Sequence, residues 1–446
     1  MKDLIFYHIY PIGFCGAPKE NDFSSPVSER LNKIYDWIPH LKELGINALY
    51  LGPLFSSTSH GYDTADFYQV DRRLGSNETL KNIINALHRE GIKVILDGVF
   101  HHTGRDFWAF RDVINNRENS QYCSWFSGLS FGGKSPYNDP FTYDTWNGHY
   151  NLVKLNLHHC DVKNHIYYAV KFWVDEFHID GLRLDAADCM DINFLREFSD
   201  FCHGLKENFF MAGEAIHGDY RRWIEEGHLD SVTNYESYKG LYSSHNDKNY
   251  FEIAFSLNRE FCDEYGLYKN LPLYNFVDNH DVDRVASTLN NQSHLYTLYA
   301  ILFTMPGIPS IYYGSEWGME GRKTNGSDDP LRPCIDLQEV KFWKHTELFW
   351  YISRLARIRR NSNALCYGNY EQLHVNHEQF AFSRKSGDET VIFAVNASDK
   401  TASFDLNVKY GNQLIDLLNE GEFFEVNNGH GGFNVNPYGA RIMVLK

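Results

Sequence analysis

The sequence predicts a closed (β/α)8 barrel with two additions, a subdomain inserted after the third strand and a C-terminal antiparallel β-domain. Apolar strands alternate with amphipathic helical segments along most of the chain, and eight such strands can be counted, as a parallel barrel of this kind requires. A polar tract interrupts the alternation once, and a two-residue periodicity replaces it near the C-terminus. We therefore expect the barrel at 1–100 and 158–363, the inserted subdomain at 101–157 and the C-terminal domain at 364–446.

Each predicted barrel strand is a short apolar run, and several of these runs end at an acidic residue. Between the strands, apolar residues recur at helical spacing, as they do in 31–41, 80–87 and 166–177. Pro39 lies inside the first of these helices, where a proline is expected to kink or restart the helix. The strands are predicted at 4–10, 46–51, 92–97, 181–185, 209–214, 231–235, 273–278 and 308–313.

Two stretches do not follow the alternation of strands and helices that predicts the barrel. Residues 101–157 are rich in Gly, Asn, Tyr and Trp and show little periodicity, and a connection of this length is typical of a subdomain rather than of a simple loop. After residue 364, apolar residues alternate with polar ones, and turn signals such as 386–388 and 396–399 separate the alternating runs. This pattern predicts an antiparallel β-domain.

Composition restricts the class of ligand. The 446 residues include 42 Lys and Arg against 58 Asp and Glu, a net charge of −16, which disfavours nucleic acid or an anionic membrane as a partner. The aromatic content of 16% suits a ligand with apolar faces, such as a sugar, although most aromatic side chains pack in cores. No run of about 18 apolar residues occurs, so no membrane-spanning helix is expected.

The N-terminus and the cysteines bear on location. The chain leads directly into the first predicted strand, without a small-residue cleavage site, so we expect no signal peptide. The eight cysteines are scattered, without the close pairs of a metal finger, and reduced thiols are the simplest interpretation. We therefore expect a cytoplasmic protein.

Acidic residues mark the strand ends, where a barrel of this kind places its chemistry. Each acid taken alone could cap the following helix, but several on one rim, beside basic and imidazole side chains, indicate a catalytic site. Arg183 precedes Asp185 by two residues, so both side chains point to one face of their strand. We expect this guanidinium to lower the pKa of the carboxyl group and keep it ionised, as a nucleophile requires; a strand-end ion pair is the alternative. The other rim residues are Asp97, His102, Glu214, His280 and Asp281.

Four short segments carry a family resemblance. They are 97–102 (DGVFHH), 181–185 (GLRLD), 212–214 (AGE) and 276–281 (FVDNHD), in this order and each at a predicted strand. On these segments the chain is identified as a member of the α-amylase family of retaining glycoside hydrolases, whose fold is the predicted barrel. The segment 103–108 most resembles the neopullulanase and cyclomaltodextrinase branch of that family.

That branch usually has an additional N-terminal β-domain that helps it to dimerise. The sequence enters the barrel at once, so we expect this domain to be absent and leave open whether the protein is a monomer or a homodimer. The partner that the resemblance implies is an oligosaccharide or α-glucan substrate.

The resemblance implies a role for each rim residue. Asp185 matches the nucleophile, Glu214 the acid/base and Asp281 the third acid, which stabilises the transition state. Cleavage with retention of configuration requires such a nucleophile and acid on either side of the scissile bond. The apolar residues before Glu214 are expected to raise its pKa, so that it stays protonated near neutral pH. Substrate-pocket roles are implied for His102, His280, Arg183, for Tyr62 as a stacking platform and for Asp97 as a structural acid beneath the pocket.

Outside the four segments the resemblance implies less. Asp328 and Arg332 resemble an acid and a base that hold the neighbouring sugar, and a surface ion pair is the alternative. Many amylases have a Lys-His pair on the leaving-group side, where this chain has Asp188-Cys189, so its leaving-side preference stays open. The candidates for stacking on glucose rings, with core packing as the alternative, are Trp108, Trp125, Trp146 and Trp223.

No cofactor is expected. In calcium-binding amylases the residue before the histidine of the first segment is usually an asparagine ligand, and here it is His101, whose imidazole is a poor calcium ligand. A transition-metal site at His101 and His102 is disfavoured, because adjacent strand residues point to opposite faces. Calcium is the unfavoured alternative, with oxygens from Asp106, Asn138, Asp139 and Asp144 of the inserted stretch.

The sequence thus predicts an enzyme that cleaves α-1,4-glucosidic bonds in maltodextrins and starch-type oligosaccharides by double displacement. The alternatives are a cyclomaltodextrinase or maltogenic amylase, or a transglycosylase on the same scaffold. A catalytically inactive glucan-binding or interaction subunit is a further alternative, which the presence of all three acids disfavours.

Overall fold

Eight parallel strands form the centre of the computed structural model, which describes residues 1–324, 326–340, 343, 345–408, 411–419 and 421–446. These strands are β1 (Phe6–Ile9), β2 (Ala48–Leu51), β3 (Lys93–Gly98), β4 (Gly181–Leu184), β5 (Phe210–Gly213), β6 (Ser231–Val232), β7 (Tyr274–Asn275) and β8 (Ile308–Tyr312). Hydrogen-bonded neighbours follow the order β7-β8-β1-β2-β3-β4-β5-β6. A parallel bridge between Thr233 and Tyr274 joins the two outer strands, so the predicted barrel fold is confirmed.

Helices connect the strands and surround the barrel. Asn77–Arg89 shows how the sequence sets their ends: Ser76 accepts a hydrogen bond from the Thr79 amide as N-cap, and Gly91 adopts a φ of +73° just past the C-terminus. The other long helices are Lys33–Leu44, Cys160–Phe177, Ile192–Leu205, Tyr235–Asn246, Phe251–Phe261, His294–Thr304 and Thr346–Arg360. Shorter helical segments are Pro11–Phe14, Arg30–Asn32, Trp108–Asn116, Arg117–Asn119, Cys123–Trp125, Ala187–Cys189, Arg222–Glu226, Val285–Thr288, Ser315–Trp317, Asp329–Leu331, Leu337–Val340 and Asn363–Tyr367.

Pro39 does not divide the first long helix, so the predicted restart is wrong. It lies within the single helix Lys33–Leu44. Pro39 and Tyr35 are both exposed. Because proline has no N–H group, the Tyr35 carbonyl lacks the hydrogen bond that another residue at position 39 would donate to it. Water can therefore hydrogen-bond this carbonyl, which lowers the cost of a proline in the helix.

The strands are shorter than the apolar runs in the sequence. β6 and β7 contain two residues each, because the chain leaves the hydrogen-bonded ladder as it reaches the rim. Asp97 lies within β3, Asp185 and Glu214 directly follow β4 and β5, and Asp281 lies in the loop after β7. All four acids are therefore at the carboxyl ends of parallel strands, on one rim of the barrel.

Side chains complete the barrel where β6 and β7 are short, a junction that we call the seam. The Asn234 amide donates to the Tyr274 carbonyl at 2.9 Å, and Asn234 Nδ2 donates to Asn275 Oδ1 at 3.0 Å and to Glu260 Oε2 at 2.9 Å. Ser237 Oγ donates to the same Glu260 oxygen at 2.9 Å. Glu260 is fully buried, and this burial raises its pKa to about 8.

The stretch inserted after β3 forms a three-stranded antiparallel sheet of His102–Gly104, Thr145–Trp146 and His149–Lys154. Asn147 and Gly148 join the last two strands with φ values of +45° and +81°, which are typical of a type I′ hairpin turn. This hairpin brings the ring of Trp146 to 6.2 Å from that of His102, centroid to centroid. The inserted sheet therefore reaches the rim that carries the acids.

The C-terminal residues form a second eight-stranded sheet, which is antiparallel as predicted. Alternate side chains face its core, as in the strand Ala402–Asn407, where Phe404 and Leu406 are buried. The strands are Asn369–Val375, Gln379–Ser386, Glu389–Asn396, Ala402–Asn407, Gln413–Asp416, Phe423–Asn427, His430–Val435 and Gly439–Leu445.

Two fully buried arginines, which we call the arginine clamp, bind the same end of a barrel helix, one from the C-terminal sheet and one from the last long helix. Arg384 of the sheet donates from Nη1 to the Thr304 carbonyl at 2.7 Å, and Arg359 of the last long helix donates to the Phe303 carbonyl at 2.9 Å. Both bind the end of the helix His294–Thr304. Burial lowers the pKa of Arg384 to about 9 and that of Arg359 to about 10.

All eight cysteines are free thiols, as expected. In the part of the chain that the structure describes, no helix combines the length and the hydropathy that crossing a bilayer requires.

Candidate active site

One guanidinium holds three carboxylates together at the barrel mouth. Arg183 Nη1 lies 2.9 Å from both Asp97 Oδ1 and Asp185 Oδ1, and Arg183 Nη2 lies 2.9 Å from Glu214 Oε2. Strand register explains this, because Asp97 on β3 pairs with Arg183 on β4, and β5, which precedes Glu214, is the next strand. Three neighbouring strands therefore bring together the predicted nucleophile, the predicted acid/base and the predicted structural acid.

Hydrogen bonds leave one oxygen of Asp185 and one oxygen of Glu214 unused. Ala186 has a φ of +47°, and its amide donates to Glu214 Oε2 at 3.0 Å, the oxygen that Arg183 also contacts. On Asp185, Arg183 binds Oδ1, while Oδ2 lies 3.9 Å from His102 Nε2. This buried nitrogen has no hydrogen-bond partner among the described residues. Asp185 Oδ2, Glu214 Oε1 and His102 Nε2 therefore each have capacity left for a ligand.

The direction of the pKa shift differs from the prediction for Asp185 and agrees with it for Glu214. Burial raises the pKa of Asp185 well above its ordinary value, and Glu214 and Asp97 add to this increase, although Arg183 opposes it. The expected net lowering of the Asp185 pKa is wrong, because burial, together with the charges of Glu214 and Asp97, outweighs the lowering by Arg183. Burial also raises the pKa of Glu214, as predicted for a general acid, so both shifts favour retention of a proton within the pair.

The third predicted acid, Asp281, is bound by an imidazole and a guanidinium. His280 Nε2 lies 3.0 Å from Asp281 Oδ2, and Arg332 Nη2 lies 2.9 Å from Asp281 Oδ1. Burial alone would raise the pKa of Asp281, but His280 and Arg332 outweigh burial and lower it. This lowered pKa keeps Asp281 ionised.

The predicted pair of Asp328 and Arg332 forms, and it belongs to the site. Arg332 Nη2 lies 2.9 Å from Asp328 Oδ2, and the Arg332 side chain is only 13% exposed. Arg332 Nε donates to the His280 carbonyl at 2.9 Å, and the guanidinium lies 4.6 Å from the ring centroid of Tyr10. A surface ion pair therefore does not describe Arg332.

Tyr62 links the two halves of the site. Its hydroxyl donates to Asp97 Oδ2 at 3.2 Å and also contacts His280 Nε2. Its ring is nearly parallel to that of His280, with centroids 5.5 Å apart. The stacking role on a sugar that the resemblance implies for Tyr62 stays a prediction.

Sequence reasoning missed further residues of the site. Tyr50 donates to Asp97 Oδ2 at 2.8 Å, and the Tyr235 hydroxyl accepts from Asn279 Nδ2 at 3.4 Å. Burial and the charge of Glu214 raise the pKa of Tyr235. The signal that could have identified Tyr235 is its position just after β6, on the rim that carries the acids.

Trp146 is the candidate tryptophan whose ring contacts a predicted site residue in the described structure, namely His102. Trp125 and Trp223 are 7% and 5% exposed, which indicates packing. Trp108 packs edge-on against Trp125, with ring centroids 5.5 Å apart. Stacking on a sugar therefore remains a prediction for Trp146 above all.

Protein donors occupy several oxygens that were candidates for calcium. Arg105 donates from Nη1 and Nη2 to the two oxygens of Asp139, at 2.8 and 2.9 Å. Thr58 Oγ1 donates to Asp106 Oδ2 at 2.9 Å. Arg105 already offsets the negative charge of Asp139, which weakens the attraction of this carboxylate for a second cation.

His101 and His102 do not point to opposite faces, which corrects the prediction. His101 precedes the strand that begins at His102, so strand alternation does not apply, and the two Nδ1 atoms lie 3.3 Å apart. Burial and the nearby Lys154 lower the pKa of His101 to about 4. Among the described residues, the side chains whose ligand atoms are close enough to hold a metal ion are instead the mostly exposed His159, Cys160 and Asp161.

Asp188, at the position where many amylases have a lysine, links the loop after β4 to the loop after β5 by hydrogen bonds. Its amide donates to the Glu214 carbonyl at 3.1 Å, and its Oδ2 accepts from the Ile216 amide at 3.2 Å. Cys189 beside it is exposed. The wall next to Glu214 therefore carries a carboxylate and a thiol.

The sequence is similar to those of known proteins. Residues 8–346 match the family described as "Alpha amylase, catalytic domain", and residues 370–442 match "Maltogenic Amylase, C-terminal domain". A cyclomaltodextrinase of Bacillus sp is 32% identical over 415 residues, which cover 89% of this chain and 73% of that protein. A maltogenic alpha-amylase of Bacillus acidopullulyticus is 30% identical over 456 residues, which cover 96% of this chain and 75% of that protein.

The likeness extends to solved structures. One described as a cyclomaltodextrinase superimposes with a TM-score of 0.86 at 28% identity, covering 99% of this chain and 78% of that chain. The similarity therefore includes both the barrel and the C-terminal sheet.

Proposed function

Because the chain belongs to the α-amylase family of glycoside hydrolases, we propose that it hydrolyses α-1,4-glucosidic bonds in cyclic and short linear maltodextrins with retention of configuration. The observation that carries this proposal is the convergence of Asp185 and Glu214 on one guanidinium, with Asp281 held separately by Arg332. Two such carboxyl groups supply the nucleophile and the acid of a retaining mechanism.

The choice of substrate rests on the relatives. Similar proteins are described as a cyclomaltodextrinase and a maltogenic alpha-amylase, which favours what the sequence offered as the alternative over a general starch-type hydrolase. The C-terminal match, to "Maltogenic Amylase, C-terminal domain", points the same way. We propose cyclomaltodextrins and maltooligosaccharides as the preferred substrates and soluble starch as a measurable but poorer one.

In the first step, Asp185 attacks the anomeric carbon while Glu214 protonates the departing glycosidic oxygen. Arg183 occupies Asp185 Oδ1, so Oδ2 is the attacking oxygen. Glu214 Oε2 is contacted by Arg183 and accepts from the Ala186 amide, so the transferred proton is on Oε1. Positive charge that develops on the sugar favours ionised Asp185, and the proton of the pair then belongs to Glu214.

In the second step, water cleaves the ester between the sugar and Asp185. Glu214, now ionised, takes a proton from this water, which attacks from the face that the leaving group vacated and so restores the original configuration. His102 Nε2, with its unused hydrogen-bonding capacity beside Asp185 Oδ2, is placed to bind a hydroxyl of the same sugar. Asp281, which stays ionised, stabilises positive charge in both transition states.

Product analysis on four substrates tests the proposal: β-cyclodextrin, maltoheptaose, pullulan and soluble starch. We expect β-cyclodextrin to be opened and shortened faster than starch, with newly formed reducing ends in the α configuration, and Asp185→Asn to be inactive on all four. New ends in the β configuration, or no activity on any glucan, would overturn the proposed mechanism. Faster hydrolysis of starch than of β-cyclodextrin would overturn the substrate assignment alone.

A further inference from the structure

We propose that a groove between the helix Thr346–Arg360 and the C-terminal sheet binds a segment of α-glucan outside the active site, an inference that rests on the proposed function. The groove encloses about 480 Å³. Helix residues form one wall, and Glu389, Leu417 and Val444 of the C-terminal sheet form the other. None of the residues that line it belongs to the site around Arg183.

The helix wall is a stripe along one side of the helix. Trp350, Arg354, Arg357 and Asn361 line the groove, and their spacing of four, three and four residues places them on the same face. Trp350 is 55% exposed, the largest exposed fraction among the nine tryptophans. The indole face of Trp350 is thus exposed to solvent at one end of a row of polar side chains. Covering this face with a ligand would be favourable.

The polar side chains of the groove retain hydrogen-bond donors. Arg354 Nη1 donates to the Leu418 carbonyl at 2.9 Å, and Arg357 Nη2 contacts Ser353 Oγ at 3.2 Å. An arginine has five N–H groups, so both guanidinium groups have donors left for a ligand. Glu389 differs, because its two oxygens already accept from the Ser362 hydroxyl and the Ala364 amide, at 2.7 and 2.9 Å.

A neutral ligand fits this groove better than an anion. In the described part of the chain, neither Arg354 nor Arg357 has a carboxylate within salt-bridge distance. Both lie in the C-terminal half of their helix, however, where the partial negative charge of the helix end favours a cation. The Glu389 carboxylate lines the same groove, so the positive charge of the arginines is offset without an anionic ligand.

A pyranose chain has the matching chemistry. Each glucose ring has an apolar face of C–H groups, which an indole can cover, and a rim of hydroxyl groups, which accept hydrogen bonds from guanidinium groups. Leu417 and Val444 provide further apolar surface on the opposite wall. For soluble starch, the longest of the proposed substrates, a second attachment point raises the effective concentration of the chain at the active site.

Affinity electrophoresis in gels that contain soluble starch tests the groove. Three proteins would be compared in the inactive Asp185→Asn background: the parent, Trp350→Ala and the control Tyr168→Ala. Tyr168 is also an exposed aromatic side chain on a helix, 64% exposed, but it does not line the groove. We expect the dissociation constant for starch to rise about tenfold for Trp350→Ala, equivalent to about 1.4 kcal/mol, and to stay unchanged for Tyr168→Ala.

Two further measurements separate the possible outcomes. With Asp185 intact, Trp350→Ala should retain the parent kcat/KM for maltotriose, which is too short to occupy both sites. Equal retardation of Trp350→Ala and the parent would overturn the proposal. A change in tryptophan fluorescence with inorganic phosphate but not with maltoheptaose would also overturn it, because it would identify an anion site. If the protein with Asp185 intact hydrolyses no glucan, and Trp350→Ala is still retarded less by starch than its parent, the result would support glucan binding in the groove and overturn the proposed function.

Discussion

Arg183 makes the charge states of Asp185 and Glu214 depend on one another. A single guanidinium contacts both, and Asp97 as well, at 2.9 Å. Burial raises the pKa of Asp185 and of Glu214, and so holds a proton within this pair. The substrate decides where that proton resides, because a positively charged transition state requires Asp185 to be the ionised partner.

Substitution of the two carboxyl groups should separate their roles. Asp185→Asn and Glu214→Gln should each lower kcat on maltodextrins by roughly 10³-fold or more, with little change in fold, since each replaces one oxygen by nitrogen. On α-maltosyl fluoride, whose leaving group needs no proton, Glu214→Gln should keep far more of its first-step rate than Asp185→Asn. Single-turnover rates on both substrates measure this, and equal losses for the two variants would contradict the roles assigned here.

Glu260 should make the stability of the protein fall as pH rises from 5 to 8. Burial raises the pKa of Glu260 from its ordinary value of 4.5 to about 8. As pH rises, Glu260 therefore loses its proton in the unfolded chain at a lower pH than in the folded protein. The free energy of unfolding declines over this range, because the folded state binds more protons than the unfolded state. The decline should be on the order of 4 kcal/mol. Glu260→Gln cannot titrate, so its thermal midpoint should fall less over this range than that of the wild type.

Glu264, an exposed residue in the loop that follows the helix of Glu260, provides the matched control for this prediction. Glu264→Gln should follow the wild-type dependence of the thermal midpoint on pH. If all three proteins show the same dependence, Glu260 does not titrate in the expected range.

At the level of residues, the sequence located the acids but not their surroundings. Asp185 and Glu214 follow apolar runs and lie in segments that resemble the family, so both pattern and resemblance identified them. The net pKa direction of Asp185 was wrong, because it depends on burial and on two carboxylates from neighbouring strands. Tyr235 was missed because its place beside Glu214 follows from strand order in the closed barrel, which no local pattern specifies.

Elements were predictable where periodicity is strong, and their ends were not. The apolar runs continue beyond the hydrogen-bonded ladder, since residues past the last strand pair are still buried, as Phe276 and Val277 are after β7. The inserted stretch was predicted as a subdomain without a named sheet. Its hairpin had a sequence signal, Asn147-Gly148, which is typical of a type I′ turn.

The inserted element should need no calcium. Arg105 binds both oxygens of Asp139, and the position where calcium-binding amylases have an asparagine is His101. We expect that EDTA changes neither the thermal midpoint nor the activity, whereas an ion bound only to the folded state would have raised stability by mass action. A drop of several degrees in differential scanning calorimetry that added calcium reverses would contradict this.

At the scale of the whole molecule, the arginine clamp should make the barrel and the C-terminal sheet depend on each other for stability. Arg384 donates to the carbonyls of Thr304, Gly368 and Asn369, and Arg384→Met would remove this donor from all three, including the buried carbonyl of Thr304. We expect a loss on the order of 3 kcal/mol in the free energy of unfolding and unchanged activity at 25 °C, since Arg384 is not among the residues around Arg183.

Arg360, exposed at the end of the same helix as Arg359, is the control for this substitution. Arg360→Met should unfold at the wild-type temperature in the same calorimetric experiment. A wild-type midpoint for Arg384→Met would show that the clamp adds nothing to stability.

The seam gives the barrel a place from which it can open. Elsewhere the ladder is longer, as between β2 and β3, where four residue pairs are in register. At the seam, the bridge between Thr233 and Tyr274 and the side chain of Asn234 take its place. Backbone amides of β6 and β7 should therefore exchange with deuterium sooner than those of β2 and β3. The barrel would then open between β6 and β7, beside Tyr235. This opening would widen the barrel mouth while the remaining strands stay folded.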